Sequence, residues 1–500
     1  MYLNPVAVIA FITLFVLPIP GQAACNSTLT PHYPAPSVAS GYEAKLVATG
    51  LVSPRSITFD LEGHLLVVQA GNGIVSLSLN DDGGSCISVG STKQVISSSS
   101  LNHGIALSND GKTLYASSAE AAFSWDYDSA TSQVGTANET LVSGMSTSDH
   151  TTRTLLMSRK QNGTLIVSRG STANVDPAAE VESTGHSQVK AFDLTNRTAV
   201  YNFDTDGKLL GWGLRNSVGV AEEPVTGNIF SVENSVDQLS RDGQDIHEDN
   251  PGEELNSLGS LADAYGDSQA GNYGYPFCFA AWAPSELPNN SGISVGSQFA
   301  IGSANNTVND SFCQSDRVAP RLTFQAHMAP LDILFLDNGT EAYVTFHGSW
   351  DRTIPVGYKL SLIHFSNGSP VEPSNSTTAA LDIVTNANNS NCPNDCFRPV
   401  GLASDSQGRI YMSSDATGEI YVVLKTTSNV SNTTSGGEAS GMSSSQSPSQ
   451  TSGISSNPSG STSSMTSSGA AGAAQTSKIY WSGTATIFVH FAAYILQRFN

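Results

Sequence analysis

The chain has 500 residues, of which 39% are hydrophobic and 8% aromatic, enough for a sizeable core, while only 13% are charged. Its 43 Asp and Glu against 22 Lys and Arg leave a formal charge of −21, which excludes a polyanion such as nucleic acid as partner. A chain of this length ordinarily forms two or three domains unless one circular β architecture absorbs most of it.

Residues 1–23 read as a secretory signal peptide, with an apolar run from Val6 to Leu17 followed by Gly21-Gln22-Ala23, a small-x-small cleavage pattern. Asn-x-Ser/Thr sequons, among them Asn26, Asn138, Asn162, Asn196, Asn309, Asn338, Asn375 and Asn388, add to the expectation of export and of a glycosylated exterior. The six cysteines have neither zinc-site spacing nor a CxxC redox pair and point to three disulfides. Sequence order favours Cys25–Cys86, Cys278–Cys313 and Cys392–Cys396, although six cysteines permit about fifteen pairings and only the last is nearly forced by proximity.

Residues 24–425 show almost no helical periodicity. They carry short runs rich in Val, Ile, Leu, Tyr and Phe, broken by Asp-Gly and Asn-Gly turn signals, so an all-β body is predicted. One strand–turn–strand unit recurs from Pro54, Asn102, Thr152, Arg215, Pro330 and Phe397. The copies stand about 50–65 residues apart except for one interval of about 115, which suits a six-bladed β-propeller. The long interval holds either a seventh blade or an insertion, and the loop-like, cysteine-bearing sequence of residues 237–316 favours the insertion.

Just ahead of the first strand of each copy stand Arg55, His103, Arg153, Asn216 beside Arg215, Leu331 and Arg398. If these strands surround a channel, their starting ends form a cationic ring, and planar guanidinium groups gathered in an acidic protein suit a carboxylate-bearing ligand. A single arginine there could equally cap carbonyls or pair with Asp or Glu. His150 follows Asp149, whose carboxylate can raise imidazole basicity, and this makes the pair the candidate general base. His327 and His347 flank the fifth copy. Residues 241–254, RDGQDIHEDNPGEE, place six carboxylates around Asn250-Pro251-Gly252, which suits either Ca²⁺ or a solvated acidic loop.

Residues 426–477 collapse to Ser, Thr, Gly, Ala and Asn and read as a disordered C-terminal stalk and spacer. Residues 478–500 form an apolar tail with the small residues Ser468-Gly469-Ala470 upstream. That pattern matches a glycosylphosphatidylinositol signal better than a transmembrane anchor, so the protein is expected outside the cell, tethered to a membrane.

Several motifs carry a resemblance: Asp149-His150 with Arg153, Leu214-Arg215-Asn216, Glu253-Glu254-Leu255-Asn256, Asn272-Tyr273-Gly274-Tyr275-Pro276, His347-Gly348-Ser349-Trp350-Asp351-Arg352 and Phe397-Arg398-Pro399. In this order, over residues 42–424, they resemble the secreted quinoprotein sugar dehydrogenases of the soluble glucose/sorbosone dehydrogenase type. Within that type they are most similar to the fungal pyrroloquinoline-quinone-dependent pyranose dehydrogenases of auxiliary-activity family 12. The resemblance implies a six-bladed propeller holding pyrroloquinoline quinone, a planar tricarboxylate, over its mouth with Ca²⁺ beneath. It casts His150 as the base for a sugar hydroxyl, oriented by Asp149, and Arg215 with Asn216 as groups polarising the quinone. Arg398, Arg55, His103, Arg153, His347 and Arg352 become further cofactor contacts, with Trp350 or Tyr275 as a stacking face. Asn250 and Pro251 would ligate Ca²⁺ through their carbonyls. The implied enzyme is a monomer that oxidises a pyranose or ketoaldose and passes electrons to an external acceptor, a quinone or a copper oxidase. A calcium-dependent propeller lactonase and a non-catalytic module binding glycans or a protein are the alternatives.

Overall fold

The computed structural model describes residues 29–262, 270–302 and 307–426. The signal peptide, stalk and tail expected from the sequence lie outside the described residues. Six sheets, antiparallel except for a parallel outermost pairing in the second and third, are arranged as blades, whose innermost strands are Pro54–Phe59, Leu101–Leu107, Leu155–Met157, Ser217–Glu222, Pro330–Phe335 and Pro399–Ser404. Each of these strands contacts the next and the last contacts the first, so they form a closed ring around one axis. They coincide with the six recurring units. The second strands, such as Leu65–Gln69 with all five residues buried, are packed on both faces, which is why they read as continuous apolar runs.

The sixth blade takes its outer strand from the other end of the chain: Tyr42–Ala48 pairs antiparallel with Glu419–Lys425, closing the circle. The long interval of the sequence is an insertion. It contains the outer strands of the fourth blade, Glu253–Ser260 and Leu322–Phe324, together with two small ribbons and the helix Asp310–Asp316, tied by the Cys278–Cys313 disulfide. Cys392–Cys396 is the second described disulfide; Cys86 is also disulfide-bonded, and its expected partner Cys25 lies outside the described residues.

Where the inner strands converge, the chain needs small residues and local irregularity. Five of the six inner hairpins shift register near their start, between Pro54 and Ile57, Leu101 and Ile105, Ser217 and Gly219, Pro330 and Asp332, and Pro399 and Leu402. The N–H groups released there are taken up by hydroxyls of the second strands. Gly401 N–H donates to Ser413 Oγ at 2.8 Å while that hydroxyl donates to the Arg55 carbonyl of the next blade at 2.7 Å. Ser117 does the same between Gly104 and Arg153, and Thr345 Oγ1 reaches the Val400 carbonyl at 2.6 Å. A Cβ on Gly401 would lie 2.5 Å from the Arg55 carbonyl oxygen, so only glycine permits this approach. The loops that open the inner strands therefore meet at one mouth of the propeller.

Ser413→Ala leaves the Gly401 N–H and the Arg55 carbonyl without their shared partner across the closing seam. It is expected to lower stability by about 1–3 kcal/mol, seen as a shift in the urea midpoint, and an unchanged midpoint would contradict the belt. In the same belt the Asp332 carboxylate accepts from Ile333 N–H and Leu402 N–H, both at 2.8 Å, and burial pushes its pKa up to about 7. With the folded value above the unfolded one, its stabilising contribution is complete below about pH 4 and disappears as pH rises through about 7. Asp332→Asn should flatten thermal stability between pH 5 and pH 8 relative to the parent; an identical pH profile would refute this.

Candidate active site

The loop that enters the third inner strand carries His150. Its Nδ1 lies 2.8 Å from Ser171 Oγ and 3.3 Å from the Ser171 carbonyl, and Ser171 Oγ itself donates to the Ala173 carbonyl at 2.8 Å. Both partners of Nδ1 are thus acceptors, so the ring proton sits on Nδ1 and the lone pair on Nε2, the tautomer a base needs. Ser171 takes the orienting place expected of Asp149, which is half-buried on the same loop. Arg153 is fully buried and donates to the carbonyls of Met145, His150 and Thr152 and to Thr147 Oγ1. Burial pulls its pKa down to about 9. It clamps the His150 loop from beneath and does not present a cation to the mouth, which corrects its expected cofactor role.

Arg215 is corrected in the same way. Its Nε donates to the Asn174 carbonyl, Nη1 to the carbonyls of Asn234 and Ser235, and Nη2 to Asn174 Oδ1 at 2.8 Å and Asp237 Oδ2 at 3.0 Å. All five N–H groups are engaged, so the arginine orders the mouth from within rather than polarising a ligand. Asn216 is buried next to it. Beyond Arg215 lies an acidic group that the sequence reading did not assemble. One ligand atom from each of Asp237, His327 and Asp351 falls within 4.8 Å of the others. Burial pushes the Asp237 carboxyl up, but Arg215 and His327 hold it below its usual range. Behind it are buried Glu233, Glu253 and Glu254; Asn256 Nδ2 donates to Glu233 and Glu254 at 3.0 Å each, and burial pushes Glu254 up to about 7.

Across the mouth, at the seam of the sixth and first blades, the arrangement reverses. Asp415 accepts from Arg55 Nη1 at 2.6 Å and stands 2.9 Å from His347 Nε2. Although burial pushes it up, His347, Arg55 and Arg398 hold its carboxyl well below the usual range. Arg398 donates from Nε to the His347 carbonyl and from Nη2 to the Gly348 carbonyl. Burial, with Arg398 beside it, brings His347 to about 4 against the pull of Asp415, so this imidazole is neutral at pH 7. His103 faces the same group, its Nε2 3.3 Å from Ser56 Oγ and its Nδ1 buried without a partner. Burial lowers its pKa well below the ordinary value.

The other expected residues fall in different places. Arg352 is turned to the insertion, where it bonds the Glu248 carbonyl and, at 3.1 Å, Asp249, so it is not a mouth cation. Asn250 is fully buried and its amide is fixed by Trp282 N–H, Ala283 N–H and the Ala283 carbonyl; Pro251 is buried beside it. The carboxylates that do approach one another, Asp237 and Asp351, lie on other segments. Tyr275 is buried with its hydroxyl on residues 173–176, which removes it as a stacking face, whereas Trp350 is half-buried between His347 and Asp351 along the chain. Imidazole ¹⁵N spectra of the apo-protein should show His150 as the Nδ1–H tautomer, and Ser171→Ala should populate both forms. An Nε2–H ring in the parent would contradict the assignment.

The chain matches the family model described as TrAA12-like over residues 36–426. A pyrroloquinoline quinone-dependent sugar dehydrogenase of Hypocrea jecorina is 48% identical over 406 residues, covering 80% of this chain and 92% of that protein. A pyrroloquinoline quinone-dependent pyranose dehydrogenase of Coprinopsis cinerea is 37% identical, covering 80% of this chain but 56% of that longer protein. Among solved structures, a calcium structure of the Trichoderma reesei carbohydrate-active enzyme of family AA12 superposes with a TM-score of 0.78 at 49% identity, covering 80% of this chain and all of that one. The holo form of the pyranose dehydrogenase PQQ domain from Coprinopsis cinerea gives 0.75 at 37% identity, covering 80% and 99%. With its six blades, its mouth and these relatives in agreement, the chain belongs to the TrAA12-like family.

Proposed function

We propose that this protein is a pyrroloquinoline-quinone-dependent dehydrogenase of pyranose or ketoaldose sugars. The observation that carries the reading is a mouth that joins a tautomer-fixed imidazole at His150 to guanidinium groups with N–H donors to spare. Arg55 Nε and Nη2 and Arg398 Nη1 have no acceptor among the described residues, and His103 Nδ1 is an unpartnered buried atom beside them. Such a donor set fits the carboxylates of a flat polyacid. Arg55, Arg398 and His103 would hold the cofactor, with Trp350 as its candidate stacking face and Asn216 near its polar edge. When bound, the quinone supplies a two-electron acceptor that no amino-acid side chain provides.

The protein's own part is proton handling and positioning. His150 Nε2 accepts the proton of the sugar hydroxyl, while Ser171 retains the proton on Nδ1 and so favours the imidazolium that forms. Arg153 and Arg169 keep the loop rigid: Arg169 pairs with Asp204 at 2.5 Å and reaches the Ser146 carbonyl. Calcium belongs to the same proposal. Asp237 and Asp351, with His327, bring one ligand atom each within 4.8 Å of the others, a cluster at which a divalent cation would bind. The proposal extends to an extracellular, surface-tethered monomer that delivers electrons to an external quinone or copper oxidase; the sequons and disulfides support the extracellular part.

Reconstituted with the quinone and Ca²⁺, the protein should reduce a dye with sugars such as fucose or glucosone. His150→Gln should cost about 10²–10⁴-fold in kcat with quinone binding retained. A parent protein that binds no quinone at micromolar concentration would overturn the proposal, as would a fully active His150→Gln. Asp237→Asn should raise the Ca²⁺ concentration needed for half-maximal activity at least tenfold, and an unchanged requirement would remove the cation from that place.

A further inference from the structure

One charged group at the mouth has no part in the chemistry above, and no motif marked it: Asp415, in the turn after the second strand of the sixth blade, Ile410–Ser414. Its two oxygens have separate partners. Oδ2 receives Arg55 Nη1 at 2.6 Å and Oδ1 stands 2.9 Å from His347 Nε2. Arg398 has no direct bond to it, but the acceptors of Arg398 are the carbonyls of His347 and Gly348, on the segment whose ring Asp415 holds. The Arg398 backbone N–H is in turn fixed by Ser414 Oγ at 3.0 Å, one residue before Asp415. Both guanidinium groups with unused donors are thus anchored, one directly and one through His347, by a single carboxylate only 16% exposed.

We propose that Asp415 is a positioning residue for anion binding, which aims Arg55 and, through His347, Arg398 at the carboxylates of the cofactor. The inference rests on the reading of the mouth as a quinone site. It is not the plain electrostatic expectation. A carboxylate beside two arginines weakens their pull on an anion, so charge alone predicts that its removal tightens binding. Orientation predicts the reverse, because unpinned arginines lose side-chain freedom when the ligand binds and the preformed geometry is gone.

The test is equilibrium titration of the apo-protein with pyrroloquinoline quinone, followed by visible absorbance, in the parent, Asp415→Asn, Asp415→Glu and Arg55→Lys. Asp415→Asn should raise Kd about tenfold, Asp415→Glu should recover part of that loss, and the double change with Arg55→Lys should cost less than the two single changes together. At saturating quinone the KM for sugar should stay within about twofold, since the residue touches neither sugar nor base. Imidazole ¹⁵N spectra give a reading that does not depend on activity: His347 should be Nε2–H in the parent and lose that preference in Asp415→Asn. Unchanged or tighter quinone binding in Asp415→Asn, with the thermal midpoint of the apo-protein retained, would overturn the proposal. Failure of the parent to bind quinone would instead overturn the cofactor reading on which it rests.

Discussion

Six strands have to meet around one axis, and the consequences of that approach run through the molecule. Close packing leaves no room for a Cβ at Gly401 and forces register shifts at the strand starts, and the N–H and carbonyl groups so displaced are taken up by Ser117, Thr345 and Ser413 between neighbouring blades. Loops that are far apart in the chain, those of Arg55, His150, Arg215 and Arg398, are thereby delivered to one mouth. The site is a product of ring closure. The pairing of Tyr42–Ala48 with Glu419–Lys425 is part of the catalytic architecture even though neither strand carries a functional residue.

Within the mouth, charge is divided rather than evenly spread. Arg55 and Arg398 at the sixth and first blades keep donors for an anion, while Asp237 and Asp351 stand where a divalent cation is proposed to bind. His150 stands on the third blade, on a loop made rigid by two arginines that serve the backbone and not the ligand. A flat ligand with carboxylates at one side and a metal-binding edge at the other has one orientation that satisfies both halves. On the proposed reading this polarity, rather than a ring of equivalent arginines, orients the ligand.

The inner hairpins were legible because turn signals and β-rich runs repeat with the blade, and the insertion because its sequence is loop-like and cysteine-bearing. The outer strands were less so: Tyr42–Ala48 finds its partner more than three hundred residues away, and no local pattern records that. His150 was legible through its neighbouring carboxylate, although Ser171, not Asp149, holds the ring. The arginines show where sequence reasoning stops. Arg55, Arg153 and Arg398 occupy equivalent positions in the repeat and Arg215 stands one residue from it, yet whether a guanidinium faces a ligand depends on which backbone carbonyls lie within reach. Arg153 finds Met145, His150 and Thr152, and Arg215 finds Asn174, Asn234 and Ser235. Asp415 was invisible because Ser414-Asp415-Ala416-Thr417-Gly418 reads as an ordinary surface turn.

On the reading proposed above, the sixth and first blades supply the anion-binding half of a quinone site. Calorimetric titration of pyrroloquinoline quinone into the parent and into an Arg55→Gln/Arg398→Gln double variant tests it most directly. The parent should bind one equivalent, and the variant should bind at least about a hundredfold more weakly, or by about 2.7 kcal/mol. Equal affinity in the two proteins would place the cofactor away from Arg55 and Arg398.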